Sequence, residues 1–169
     1  ACPAPAARAW ETAAGPDPTP VWSHSLGTGH RPRGGLLEDL DGDDDLDLVV
    51  TDVTAGEVLI FSGNGDGSFA PPLTFGGIDG AVAVAPVDAD ADGDRDLAIL
   101  SHDDNWIVLL RNDGGLAFTV APTSPISTWK DATSLAVFAA DASVGNDITV
   151  TRRMPPTIAP LSGIGTTSL

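Results

Sequence analysis

Residues 39–50 read DLDGDDDLDLVV, and residues 88–99 read DADADGDRDLAI. In both stretches Asp occupies positions 1, 3, 5, 7 and 9, and Leu follows. These ten residues are Asp39, Asp41, Asp43, Asp45 and Asp47, then Asp88, Asp90, Asp92, Asp94 and Asp96. Apolar residues flank both stretches, which predicts that each is a loop between two β-strands. We call residues 39–47 the first Asp loop and residues 88–96 the second Asp loop.

The two loops concentrate negative charge. Seven of the 24 acidic residues lie between Glu38 and Asp47, and five lie between Asp88 and Asp96. Two unit charges about 5 Å apart repel by roughly 0.8 kcal/mol even at the dielectric of water. Hard oxygen ligands without His or Cys nearby favour Ca²⁺, and Mg²⁺ fits less well because it demands tight octahedral geometry. The sequence therefore predicts a Ca²⁺ site in each loop, the alternative being an acidic loop without metal.

The EF-hand is excluded as the type of calcium loop. An EF-hand needs a bidentate Glu at position 12 and a helix on both sides. Position 12 is Val50 in the first loop and Ile99 in the second, and both lie in predicted strands. The pattern indicates a nine-residue loop within a β-hairpin.

Composition sets further limits on fold and function. The chain has 169 residues, 42% of them hydrophobic, which is enough for one medium domain. A formal net charge of -16 argues against binding nucleic acid or anionic lipid. No apolar run is long enough for a transmembrane helix. The single cysteine, Cys2, excludes an intrachain disulfide and a multi-Cys zinc site. Nineteen Gly and fourteen Pro indicate β-structure with many tight turns.

The chain divides into a leader and a repeat region. Residues 1–21 are rich in Ala and Pro and read as a leader or linker, in which Cys2 is either a lipid-anchor site or incidental. Residues 22–169 hold units of about 29–75, 76–126 and 132–169, and a period near 50 residues is typical of propellers or solenoids. Each of the first two units is predicted to be a four-stranded antiparallel meander, with the second strand at residues 48–53 or 97–102 and the fourth strand opening at Phe69 or Leu116. The third unit has a degenerate loop between Asp141 and Asp147.

The first Asp loop, followed by GNGDGSF at residues 63–69, resembles the FG-GAP/VCBS repeat family, whose members are similar to the N-terminal domain of integrin α-chains. The second Asp loop matches the family's DxDxDGxxD pattern without a gap. The resemblance implies an all-β fold of four-stranded antiparallel β-propeller blades with Ca²⁺ in the loop between the first two strands. About three units are present, so we expect an incomplete or open propeller.

The resemblance also implies the metal ligands. They are the side chains of Asp39, Asp41, Asp43 and Asp47 with the carbonyl of Asp45, and the side chains of Asp88, Asp90, Asp92 and Asp96 with the carbonyl of Asp94. Position 6 of the loop usually has a left-handed backbone. It is Gly93 in the second loop and Asp44 in the first, so we expect the second site to bind more tightly.

The sequence predicts a binding function and no enzyme. The three His residues are far apart in sequence and form no catalytic pattern. The favoured role is an extracellular or cell-surface module for adhesion or ligand binding, with a structural metal. Expected partners are an extracellular protein or carbohydrate, and further blades from a longer chain or an oligomer. Two alternatives remain: a lectin-like propeller that uses Trp22 or Trp129, and an accessory fragment of a larger secreted enzyme.

Overall fold

The structure, a computed structural model, describes residues 22–138, 147–152 and 157–161. This part of the chain contains twelve β-strands and no helix. In chain order they are β1 (Pro32–Glu38), β2 (Asp47–Asp52), β3 (Glu57–Phe61), β4 (Leu73–Gly76), β5 (Ala81–Val87), β6 (Asp96–Ser101), β7 (Trp106–Asn112), β8 (Phe118–Val120), β9 (Ile126–Ser127), β10 (Ala132–Phe138), β11 (Asp147–Arg152) and β12 (Thr157–Leu161). The predicted all-β fold is confirmed. The predicted leader, with Cys2, lies outside the described residues.

The first sheet is a four-stranded meander in the order β1-β2-β3-β4, and every pair is antiparallel. Glu38 pairs with Asp47, so the first Asp loop closes the β1–β2 hairpin. Leu48 pairs with Phe61 in the β2–β3 pair. The sequence therefore predicted both the order of the strands and the place of the loop correctly.

The second sheet repeats this plan in the order β5-β6-β7-β8, and the short strand β9 also pairs with β7. Val87 pairs with Asp96, so the second Asp loop closes the β5–β6 hairpin. The third sheet has the order β10-β11-β12. Phe138 pairs with Asp147, and most of the predicted degenerate loop, residues 139–146, lies outside the described residues.

The predicted start of the fourth strand was wrong, and one strand was not predicted. The fourth strand of the first unit was expected to open at Phe69, but β4 begins at Leu73, and Phe69 forms only an isolated bridge with Gly63. The intervening Pro71 and Pro72 have no N–H to donate to a strand ladder. Strand β12 was not predicted, because Pro160 interrupts its apolar pattern.

Two hydrophobic cores lie between neighbouring sheets, and β6 contributes side chains to both of them. Leu97 and Ile99 point into the core shared with the first sheet, while Ala98 and Leu100 point into the core shared with the third. This follows from the alternation of side chains along a strand. All six residues of β6 are buried, as expected for a continuous apolar strand covered on both faces.

The first strands of the three sheets lie side by side, with β5 in contact with both β1 and β10. A glycine allows the close approach of β1 to β5. A Cβ atom on Gly34 would lie 3.1 Å from the Cα of Ala83 and 3.1 Å from the carbonyl oxygen of Val82. The sheets are therefore arranged face to face in chain order, with their first strands adjacent.

Candidate metal centres

The structure gathers six of the ten predicted Asp side chains into two groups. Carboxylate oxygens within each group lie within 4.8 Å of one another. The first group is Asp39, Asp41 and Asp43, and the second is Asp88, Asp90 and Asp96. Each group belongs to one Asp loop, at the end of the hairpin formed by the first two strands of its sheet. The spacing of the sequence thus brings the carboxylates together in both repeats.

The Asp at position 9 of each loop is buried and ties the loop to the C-terminal end of the third strand of its sheet or to the residues just after it. Asp47 accepts hydrogen bonds from the backbone N–H of Leu40 (2.9 Å) and of Gly63 (2.9 Å). Asp96 accepts the equivalent bonds from Ala89 (2.7 Å) and Asn112 (2.8 Å). Sequence analysis proposed these two residues only as ligands and missed their structural role. Asp47 also lies outside the first group of carboxylates, whereas Asp96 belongs to the second.

The pKa values of two loop carboxyls reflect crowding. Burial raises the pKa of Asp41, and the charges of Asp47 and Asp43 raise it further. Burial also raises the pKa of Asp96, against the lowering effect of its two backbone donors. Oxygen Oδ1 of Asp41 is buried and has no hydrogen-bond partner among the described residues. A buried carboxylate oxygen without a donor, surrounded by like charges, fits a bound cation.

The Asp at position 7 directs its side chain away from the carboxylate groups. In the first loop, the carboxylate of Asp45 lies over Gly65, where a Cβ atom would come within 2.7 Å of Oδ1. In the second loop, Asp94 Oδ2 lies 3.5 Å from the position of a Cβ atom on Gly114. Both side chains therefore pack against the glycine turn after the third strand. This orientation is compatible with the predicted use of the backbone carbonyl alone as a ligand.

In both loops, Asp side chains accept hydrogen bonds from backbone N–H groups two to five residues further along the chain. Asp39 accepts bonds from Gly42 (2.8 Å) and Asp44 (3.1 Å). Asp43 accepts one from Asp45, and Asp92 accepts the equivalent bond from Asp94, both at 2.9 Å. Such bonds within a loop are typical of Asx turns.

Each loop has two residues with a left-handed backbone, not one. Position 6 has φ of 71° at Asp44 and 97° at Gly93, as predicted. Position 4 also has positive φ, 79° at Gly42 and 64° at Ala91. Each loop therefore has one glycine and one strained residue, and Ala tolerates this conformation less well than Asp. Backbone strain at position 4 of the second loop therefore balances strain at position 6 of the first, and the backbone alone does not favour either site.

Residues 39–99 match the model of the FG-GAP-like repeat family. The matched segment begins at the first Asp loop and ends in the strand that follows the second, so it contains both sites. This match confirms the family resemblance seen in the sequence. A comparison with curated proteins found no match. None of the residues that the structure describes forms a helix long and apolar enough to cross a membrane.

Side chains other than the loop aspartates connect the two Asp loops. Asn112 is fully buried, and its Nδ2 donates to the carbonyl oxygens of Leu40 (2.6 Å) and Arg95 (3.3 Å). Arg95 in turn forms an ion pair with Glu38, which ends β1 (3.2 Å). Neither contact was predicted, because each depends on how the two sheets pack.

A cation also lies beside the second Asp loop. Arg111 on β7 places Nε 3.7 Å from Asp90 Oδ2 and Nη2 2.7 Å from Asp113 Oδ1. Sequence analysis missed this residue. Leu97 pairs with Leu110 just as Leu48 pairs with Phe61 in the first sheet. Aligning these two pairs would have placed Arg111 next to the second Asp loop.

The remaining candidates have separate positions. Trp22 packs edge-on against Phe61 and Phe69, with ring centroids 5.3 and 5.0 Å apart, which favours packing over a ligand platform. Trp129 and Trp106 are 39% and 41% exposed. The three His residues are not brought together: His24 stacks near Trp22, His30 contacts Asp52, and His102 contacts Asp103.

Proposed function

We propose that this chain is a calcium-binding repeat module of the extracellular space or cell surface, used for adhesion or ligand binding. The observation that carries the proposal is the pair of Asp loops, which occupy the same place in two consecutive sheets and gather three carboxylates each. The buried Oδ1 of Asp41, which has no described donor, supports a cation at the first loop. The role is structural rather than enzymatic.

The residues that would hold Ca²⁺ follow from the loop geometry. They are the side chains of Asp39, Asp41 and Asp43 in the first loop and of Asp88, Asp90 and Asp96 in the second. The family resemblance adds the carbonyls of Asp45 and Asp94 and the side chain of Asp92, which lies outside the second group of carboxylates. Asp47 would contribute from its place beside Asp41, whose pKa its charge raises. The ion supplies two positive charges that offset the repulsion between the carboxylates. The loop then holds the hairpin of β1 and β2, or of β5 and β6, in one geometry.

We further propose that the three sheets are blades of a β-propeller. The support is their face-to-face order, the cores between neighbours and the adjacent first strands β1, β5 and β10. Propellers close with about four to eight blades. The proposal therefore includes further blades from a longer chain or from other copies.

Isothermal titration calorimetry tests the calcium proposal directly. Protein stripped with EDTA should bind two Ca²⁺ per chain, with Kd values of roughly 10⁻⁴ to 10⁻³ M, the range of extracellular sites. Asp66→Asn is the matched control, because it removes an exposed carboxylate in the turn after β3 and should keep two sites. Zero bound Ca²⁺ in the wild-type protein would contradict the proposal.

A lectin-like function is the second candidate, and one observation favours it. The exposed Trp106 lines a groove of about 360 Å³ with Phe75, Val108, Val120 and Asp104. An exposed indole can stack on a sugar ring, and a neighbouring carboxylate can accept hydrogen bonds from the hydroxyl groups of the sugar. A glycan-array signal that Trp106→Ala abolishes and Trp129→Ala preserves would support this function. A protein that binds no glycan on the array would argue against it.

A further inference from the structure

The second Asp loop has a cation of its own, and the first has none among its described ion pairs. We propose that Arg111 lowers the calcium affinity of the second loop, so that the two sites fill one after the other. The inference rests on the proposed calcium binding and adds to it an order of filling. It reverses the order that the sequence predicted.

The geometry of Arg111 holds its charge beside the loop. Its Nη2 donates to Asp113 at 2.7 Å, which anchors the guanidinium to the turn after β7. Its Nε lies 3.7 Å from Asp90 Oδ2 and is buried without a hydrogen-bond partner in the described structure. The contact with Asp90 is therefore an electrostatic one that a competing cation can replace.

The equivalent position of the first sheet has no charge. In β7, Arg111 follows Leu110, which pairs with Leu97 directly after the second Asp loop. In the first sheet, Phe61 pairs with Leu48 in the same way, and Ser62 follows it. The described Arg and Lys residues form no ion pair with Asp39, Asp41 or Asp43. On the third strand, Arg111 therefore distinguishes the electrostatic surroundings of the second loop from those of the first, and Arg95 and Gly93 within the second loop, where the first has Leu46 and Asp44, add to the same difference in charge.

Two electrostatic effects act in the same direction. Without calcium, the guanidinium of Arg111 offsets part of the repulsion around Asp90. The calcium-free second loop therefore has a smaller unfavourable electrostatic free energy than the calcium-free first loop. With calcium, a unit charge about 5 Å from a divalent ion weakens binding by about tenfold at the dielectric of water. Asp113 neutralises part of the charge of Arg111, so we expect a difference of several-fold to tenfold. The first loop would then hold calcium at concentrations that leave the second loop largely empty.

The test measures each site alone by calorimetry with Ca²⁺. Asp43→Asn leaves only the second site, and Asp92→Asn leaves only the first. In the Asp43→Asn background, Arg111→Ser should tighten the remaining site several-fold. In the Asp92→Asn background, Ser62→Arg should weaken the remaining site by a similar factor. Lys130→Ser removes an exposed positive charge elsewhere and should leave both affinities unchanged.

Thermal melting in EDTA provides a readout without metal. Arg111→Ser should lower the melting temperature, and Ser62→Arg should raise it. Two sites whose affinities do not respond to either exchange would overturn the role of Arg111 and leave the calcium proposal standing. A tighter second site in the wild-type protein would overturn the proposed order of filling and also leave the calcium proposal standing. A wild-type protein that binds no calcium overturns both.

Discussion

At the scale of single residues, the strain in the Asp loops is set by φ and not by contacts. Gly93 has φ of 97°, and a Cβ atom there would meet nothing within 4 Å. Ala91 has φ of 64° two residues earlier. A left-handed backbone costs an ordinary L-residue roughly 1–2 kcal/mol, so the two positions should respond oppositely to exchange between Gly and Ala.

We therefore expect Gly93→Ala to destabilise the protein by about 1 kcal/mol and Ala91→Gly to stabilise it by about 0.5–1 kcal/mol. Urea unfolding with and without calcium measures both. Gly76→Ala is the control, because that glycine lies in open space and has no positive φ. If Gly93→Ala unfolds like Gly76→Ala, the left-handed backbone at position 6 is not a source of strain.

Asp52 gives a pH dependence that is independent of metal. It is fully buried at the end of β2, and it accepts hydrogen bonds from the backbone N–H groups of Arg31 (3.0 Å), Thr54 (2.9 Å) and Ala55 (2.9 Å). Its Oδ2 also lies 3.1 Å from Nδ1 of His30. Burial is the largest single influence and raises the pKa of Asp52, but the donors together bring it below its ordinary value of 3.8.

Because the pKa of Asp52 is lower in the folded state, its charge stabilises the fold above about pH 3.8, and this contribution is lost as the pH falls through the folded-state pKa. Asp52→Asn should lower stability at pH 7 by about 1–3 kcal/mol, since it replaces bonds to a charged acceptor. The gap between the two proteins should narrow below pH 3.8, as followed by melting temperature from pH 7 to pH 2.5. A gap that stays constant would mean that the charge of Asp52 does not stabilise the fold.

At the scale of strands and loops, the repeat made much of the fold predictable. Aligning the two Asp loops predicted β2 and β6 to within one residue, because alternating apolar residues and turn residues recur at the same spacing. The carboxylate groups were predictable for the same reason. The contacts of Arg111 and Asn112 were not, because they depend on strand register and on the packing between sheets. The beginning of β4 and the whole of β12 were not predicted, because prolines interrupt the apolar pattern there.

Asn112 is the buried polar contact that connects the two loops across the sheets. Its Nδ2 reaches the carbonyl oxygen of Leu40 at 2.6 Å, and its Oδ1 accepts a bond from Gly114 at 3.2 Å. Asn112→Ala leaves that carbonyl without its donor and should cost about 1–3 kcal/mol in urea unfolding. Asn64→Ala, in an exposed turn, is the control and should be nearly neutral. Equal stabilities of the two variants would show that the contact between loops adds nothing.

At the scale of the whole molecule, packing and metal act in different places. The two cores lie between the sheets, where burial of an Ile or Leu side chain contributes about 1.5–3 kcal/mol without any ion. The Asp loops lie at the ends of hairpins, where the carboxylates repel one another and a bound cation would offset that repulsion. We therefore expect the sheets to stay folded in EDTA and calcium to add stability to an existing fold.

The stability that calcium adds should differ between the two loops. A ligand at a hundredfold excess over its Kd stabilises the folded state by about 2.7 kcal/mol per site. At a calcium concentration that fills only the tighter site, Asp43→Asn should lower the melting temperature more than Asp92→Asn, because Arg111 weakens the second site. In EDTA both variants should match or exceed the wild type, since each removes a repelling charge while keeping an oxygen that can accept the bond from Asp45 or Asp94. Differential scanning calorimetry in EDTA and across calcium concentrations checks both expectations. If both variants are clearly less stable than the wild type in EDTA, the loops are stabilised by their own hydrogen bonds and not by a metal.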